Sequence, residues 1–181
     1  PTDWHLMRKC HIPVLLVKDH AWPENGNIIA AINAGATDDE HMLLNDRVCQ
    51  TAKNFTQLLN AKSHLVNAFP RPPLNIAIEI PEFDPSDYTE TLKKNHQSAL
   101  EEMANHYHID HTLCHAEEGN VEDVLPQITE NLDAELLIIG NVGREGLSAT
   151  FVGNTAEHVI DQVNCDVLSL RPDCNQTTLQ A

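Results

Sequence analysis

Apolar residues recur along this chain in two rhythms. Ile28–Ile32 and Leu136–Ile139 are unbroken apolar runs of strand length. Runs without polar alternation suit strands covered on both faces. Ser63–Phe69 is strand-like and stops at Pro70, and Asp110–His115 and Asp166–Arg171 supply two more strands. Between them the spacing turns helical. Leu44, Val48, Ala52, Phe55 and Leu59 mark one face of a helix over 37–61, with Thr37 and Glu40 as a capping box. Tyr88, Leu92, Leu100, Met103 and Tyr107 mark another over 86–107. Asn120–Leu132 is a third, capped by Asn120 and lacking one backbone bond at Pro126, and Asn154–Asn164 is a fourth. Leu74–Ile80, bracketed by prolines, is an extra strand or a covering segment. Alternating strands and helices predict an α/β, Rossmann-like parallel sheet with helices on both faces. Ligands in such sheets bind beyond the carboxyl ends of the strands, where strand order reverses.

The chain opens with a segment that its own end repeats. At an offset of 153 residues, His5 falls on His158, Val14 on Val167, Leu15 on Leu168 and Lys18 on Arg171. Each copy is a short amphipathic helix followed by a strand, and such self-similarity points to tandem domains. The expected organisation is the last helix and strand of a preceding domain over 1–19, a linker over 20–26, a complete domain over 27–173, and a flexible polar tail over 174–181. The strand Ile12–Lys18 is expected at the sheet edge beside Asp166–Arg171, within the chain or exchanged between two chains as a homodimer. Covering that edge blocks open-ended strand association.

Charge narrows the partners. With 11 Lys and Arg against 27 Asp and Glu, the net charge is −16. Such a surface repels nucleic-acid backbones and anionic membranes, so neither is an expected partner. No apolar run reaches the ~18–20 residues needed to span a bilayer, and no signal peptide is recognisable. Five widely spaced cysteines, Cys10, Cys49, Cys114, Cys165 and Cys174, form no C-x-x-C pair. An odd, scattered set fits a reducing compartment, and the cytoplasm is expected.

One loop carries candidate chemistry. Leu136–Ile139 runs into Gly140-Asn141-Val142-Gly143, and nine residues later Gly153-Asn154-Thr155 opens a helix, giving G-x2-G-x9-G-N-T. Glycine permits close backbone approach to a phosphate, and free N–H groups at a helix start favour anionic oxygen. Asn154 or Thr155 can cap the helix and also reach a phosphate. The same glycines equally serve turns at a strand end and a helix start.

These residues resemble a family. Leu136–Gly143, Gly146-Leu147-Ser148-Ala149 and Gly153-Asn154-Thr155-Ala156-Glu157-His158-Val159-Ile160 resemble universal stress proteins, with His64–Ala68, Asn75–Glu79 and Pro81–Pro85 close to tandem-domain members. The likeness covers nearly all of residues 1–173. It implies five parallel strands in the order 3-2-1-4-5, stress-linked expression, and ATP or another nucleotide-linked ligand as cofactor. By the same resemblance the ligand contacts are Ile32, Asn33, Ala68, Ile139, Gly140, Val142, Gly143, Gly153, Asn154 and Thr155. Two positions depart from the nucleotide-binding branch: Asn33 replaces an Asp, and Asn154 replaces a Ser or Thr. Asparagine still donates and accepts, but without the carboxylate's charge-assisted bond.

Eleven histidines invite a metal reading. His106, His108, His111 and His115 cluster, and strand alternation would bring His111 and His115 together. Zinc requires three or four convergent ligands, which this set does not supply, so no metal is expected. No HExxH, nucleophile elbow or Walker lysine occurs, and no catalytic base is nominated. The expected function is ligand binding in a stress response. The alternatives are an interaction module without nucleotide, or a weak ATPase.

Overall fold

The apolar stripes become helices; Asn120 stands at the N-cap of the third, as the sequence suggested, but its side chain makes no cap hydrogen bond there. The computed structural model describes residues 6–7, 10, 12–71, 85–141 and 153–172. Helix α1 spans Asp39–Leu59 and starts from Asp38, whose carboxylate accepts the His41 N–H. The cap is thus Asp38, not Thr37, because a carboxylate also gains from the positive end of the helix dipole. Helix α2 spans Pro85–Tyr107, with proline at its first position, where a missing N–H costs no helical hydrogen bond. Helices α3 (Val121–Asn131) and α4 (Gly153–Gln162) follow. Pro126 sits inside α3 without ending it.

The strands are β1 (Val14–Leu16), β2 (Asn27–Ala31), β3 (Lys62–Phe69), β4 (Cys114–Glu118), β5 (Ala134–Gly140) and β6 (Asp166–Leu170). Asp110–His115 is not one strand, as the sequence suggested. Asp110 accepts both the Thr112 N–H and its hydroxyl at 2.8 Å. That turns His111–Leu113 into a 3-10 turn, and β4 begins only at Cys114. Leu74–Ile80, read as a strand or cover, lies outside the described residues.

Sheet order is β1-β6-β5-β2-β3-β4. Strands β2 to β6 are all parallel, and from β4 inward their own order is 3-2-1-4-5, as the family resemblance implied. Strand β1 adds to the β6 edge antiparallel within the chain, Leu15 facing Leu168. The short 17–26 connection suffices. It crosses three strand spacings, ~14 Å, and ten residues reach up to ~33 Å.

Helices α1 and α2 cover one face, burying Leu44, Val48, Leu100 and Ala104 over Ile28 and Leu65. Helices α3 and α4 cover the other, burying Leu125, Ile128, Val159 and Ile160 over Ile29 and Leu137. Alternate residues of β2 and β5 therefore meet different cores, which is why Ile28–Ala31 and Leu136–Ile139 are unbroken apolar runs. No described helix is long and apolar enough to cross a membrane.

Candidate functional site: a crevice at the strand-order reversal

The chain leaves β2 toward β3 on one side and returns at β5 on the other, so the carboxyl ends of these strands diverge. A crevice of about 250 Å³ opens there. Its floor is Ala31, Ile32 and Asn33 at the end of β2, Ala68, Phe69 and Pro70 at the end of β3, and Ile139 and Gly140 at the end of β5. Leu44 and Val48 of α1 form one wall, and Val121, Leu125 and Val159 of α3 and α4 form the other. The lining is apolar apart from Asn33, His41, Asn45 and His96.

Those polar groups are wired to the backbone that shapes the mouth. Asn33 donates its N–H to Asn45 Oδ1 at 2.9 Å, and its carbonyl accepts from Asn45 Nδ2 at 2.8 Å. The buried Asn45 thereby replaces a missing strand partner for both backbone groups of Asn33. The next amide, Ala34 N–H, donates to Asn67 Oδ1 at 2.8 Å, and Gly35 N–H donates to Asn33 Oδ1 at 3.2 Å. Asn67, which is 1% exposed, reaches His96 Nδ1 through its Nδ2 at 3.1 Å. The His96 ring stacks on Phe69, with centroids 5.1 Å apart and planes 8° apart. Burial holds His96 below the ordinary imidazole range. At the start of α1, hydrogen bonds from His41 hold the exposed Asp38 carboxyl below its usual range.

The structure sets five sequence-nominated residues, Ile32, Asn33, Ala68, Ile139 and Gly140, around this one crevice. Gly140 has a packing reason of its own, because a Cβ there would stand 2.5 Å from Leu44 Cδ2. Asn141 turns away from the crevice. Its N–H continues the sheet to Leu170 O at 2.7 Å, and its side chain donates to Met7 O at 2.8 Å. Val142 and Gly143 lie outside the described residues. Gly153, Asn154 and Thr155 form the first turn of α4. Among the described helices only α4 has no acidic residue in its first turn; α1 carries Asp39 and Glu40, α2 Asp87, and α3 Glu122 and Asp123. An anion is therefore repelled least at α4.

Sequence reading missed Asn45, Asn67 and His96. The signal was there. Each is a polar residue on an apolar stripe: Asn45 between Leu44 and Val48, Asn67 within the β3 run, and His96 four residues from both Leu92 and Leu100. The histidines nominated as a cluster do not converge. His111 bonds Asn105 at 2.8 Å from the 3-10 turn, whereas His115 stacks on His64. Among the described residues no group of three or more His, Cys, Asp or Glu could hold a metal ion.

Comparison with known proteins follows this geometry. The model of the "Universal stress protein family" matches residues 37–171. Universal stress protein E of Salmonella typhi is 45% identical over 99% of this chain, which spans 58% of that relative. The chain thus covers little more than half the length of such relatives. A functionally unknown protein from Pseudomonas aeruginosa PAO1 shares the fold with a TM-score of 0.76 and 33% identity, over 96% of this chain and 57% of that one. A universal stress protein solved in complex with cAMP matches at a TM-score of 0.54 and 18% identity, over 83% of this chain and 99% of that one. Matched by a family model over most of its length and close to a named member across nearly all of it, the chain belongs to the universal stress protein family.

Proposed function

We propose that the protein is a stress-response ligand binder that holds a nucleotide, or a nucleotide-linked ligand, in the crevice at the carboxyl ends of β2, β3 and β5. One observation carries this reading: an open, largely apolar crevice of about 250 Å³ lies where strand order reverses. Ligand pockets commonly measure roughly 300–1,000 Å³. This one therefore suits the planar or apolar part of a ligand, with its phosphates outside, toward α4. The family member solved with cAMP supports the ligand class.

In this reading Ile32, Ala68 and Ile139 pack on the ligand body, and Asn33 offers an uncharged donor and acceptor. Val142, Gly143, Gly153, Asn154 and Thr155 supply the phosphate cradle. No catalytic base is assigned, so ATP turnover is slow or nil. The symmetric pairing of Leu15 with Leu168, its counterpart in the internal repeat, supports a second part of the proposal. The N-terminal segment stands where the last strand of a twin domain would pair, in a cytoplasmic tandem protein or a homodimer.

Isothermal titration of the chain with ATP tests the ligand reading. Saturable heat is expected from the native chain, with loss of affinity on Gly143→Val, whose side chain would crowd a phosphate. Absence of heat with both ATP and cAMP would leave an interaction module as the function. Steady phosphate release that Gly143→Val abolishes would favour the weak ATPase.

A further inference from the structure

We propose that His96 is a positioning residue of the ligand site and the group that makes it acid-sensitive. This rests on the ligand reading above, but its geometry stands alone. The Ala34 N–H can only donate, so the oxygen of Asn67 must face it. That fixes the amide, and its Nδ2–H must point at His96 Nδ1. Nδ1 therefore accepts and carries no proton, which leaves the proton of the neutral ring on Nε2. Stacking on Phe69 holds the ring plane, and Gly35 leaves room for it, since a Cβ there would lie 3.2 Å from His96 Cε1. Strand β3, the β2–α1 turn and α2 thus meet in one hydrogen-bonded chain.

Protonating Nδ1 sets two donors against each other. Asn67 cannot flip without releasing the Ala34 amide, so the ring leaves or the turn loosens. Both outcomes change the mouth that Asn33 and His96 line. Of the titratable side chains on His96's side of the sheet, His41 lines the same crevice, tied to Asp38 at the start of α1, and Glu118, opposite Phe69 in the β3–β4 register, is ion-paired with Arg71 at the end of β4. Cys114 faces the same side of the sheet at the start of β4. None of these makes the bond to Asn67. The low proton affinity that burial gives His96 keeps the lock closed at neutral pH.

The test uses two variants that separate the roles of the ring. His96→Asn places an oxygen where Nδ1 stands and does not titrate. His96→Phe keeps the stack and removes the acceptor. Nuclear magnetic resonance of the native chain without ligand should show the Nε2–H tautomer. The Ala34 amide and Asn67 side-chain signals should move with the midpoint of His96 itself, below 6.5. His96→Asn should keep those signals near their neutral positions and abolish the pH response. His96→Phe should displace them at every pH. ATP affinity should fall by about tenfold on acidification through that midpoint in the native chain, the worth of one buried hydrogen bond, and stay level in His96→Asn. A Nδ1–H tautomer, or an unchanged response of Ala34 in His96→Asn, would overturn the inference. Failure of ATP to bind at neutral pH would sink the ligand reading alone, with the resonance titration still deciding the lock.

Discussion

Histidine 64 shows how one side chain records its surroundings as a proton affinity. Asn27 donates its Nδ2–H to Leu132 O at 2.7 Å, so its Oδ1 faces His64 Nε2 at 3.3 Å, and that nitrogen carries the proton. His64 Nδ1 then accepts from His115 Nε2 at 3.0 Å. The ring is 6% exposed, and burial, then His115, then Lys62 push its pKa down to about 4. The unfolded chain would take up this proton near pH 6.5 and the folded chain only near 4, so stability is full above 6.5 and is lost as pH falls between the two. The expected loss is about 2 kcal/mol, below the full shift because half-buried His115 admits water to the pair. Urea denaturation across that range measures it, and His64→Gln should flatten the slope. An unchanged slope would remove His64 as the cause. Apolar periodicity could not locate this residue, since strand β3 reads as buried whichever side chain finds a partner.

At the scale of elements, β1 is held by more than its three-residue ladder. The Asp166 carboxylate, which opens β6 and is buried, accepts the Lys18 N–H at 2.7 Å and the Trp22 Nε1–H at 2.9 Å. His20 lies between Asp166 and Glu135, 3.0 Å from each. Gly26 then lets the chain pass close to Glu135, whose Cγ would sit 2.7 Å from a Cβ. Residues that read as a linker from Pro23, Asn25 and Gly26 thus bind the amino ends of β5 and β6. Asp166→Ala strands two half-buried donors and should cost about 1–3 kcal/mol, concentrated at the edge. Hydrogen exchange should quicken at Leu15 and Leu168 while β2 and β5 amides keep their protection. Equal loss across the whole sheet would show that β1 is not separately latched. Helix existence was legible from spacing, whereas exact starts were not, because caps such as Asp38 and Asp110 compete locally with their neighbours.

Over the whole molecule, 27 acidic against 11 basic residues set the surface. Exposed ion pairs are few among the described residues, Lys94–Glu90 and Arg71–Glu118 being two. Such pairs contribute little, so self-repulsion outweighs them. Raising sodium chloride from about 20 to about 300 mM shortens the screening length and should stabilise the chain by about 1 kcal/mol, roughly 2–4 °C in Tm. Calorimetric scans check this, and a falling Tm would mean that attractive pairs dominate.

The sequence alone determined the class of fold, because strand runs and helical stripes are local and each was dictated by which side chains needed burial. Through the family resemblance it also pointed to the ends of β2, β3 and β5, which do meet in one crevice, since topology rather than side-chain detail sets that reversal. Only the tertiary structure decided that Asn45 replaces a strand partner for Asn33, that His64 meets His115, and that Asn67 joins Ala34 to His96. These are contacts between elements 12 to 51 residues apart, and their chemistry depends on the register and packing angle that bring them within hydrogen-bond reach.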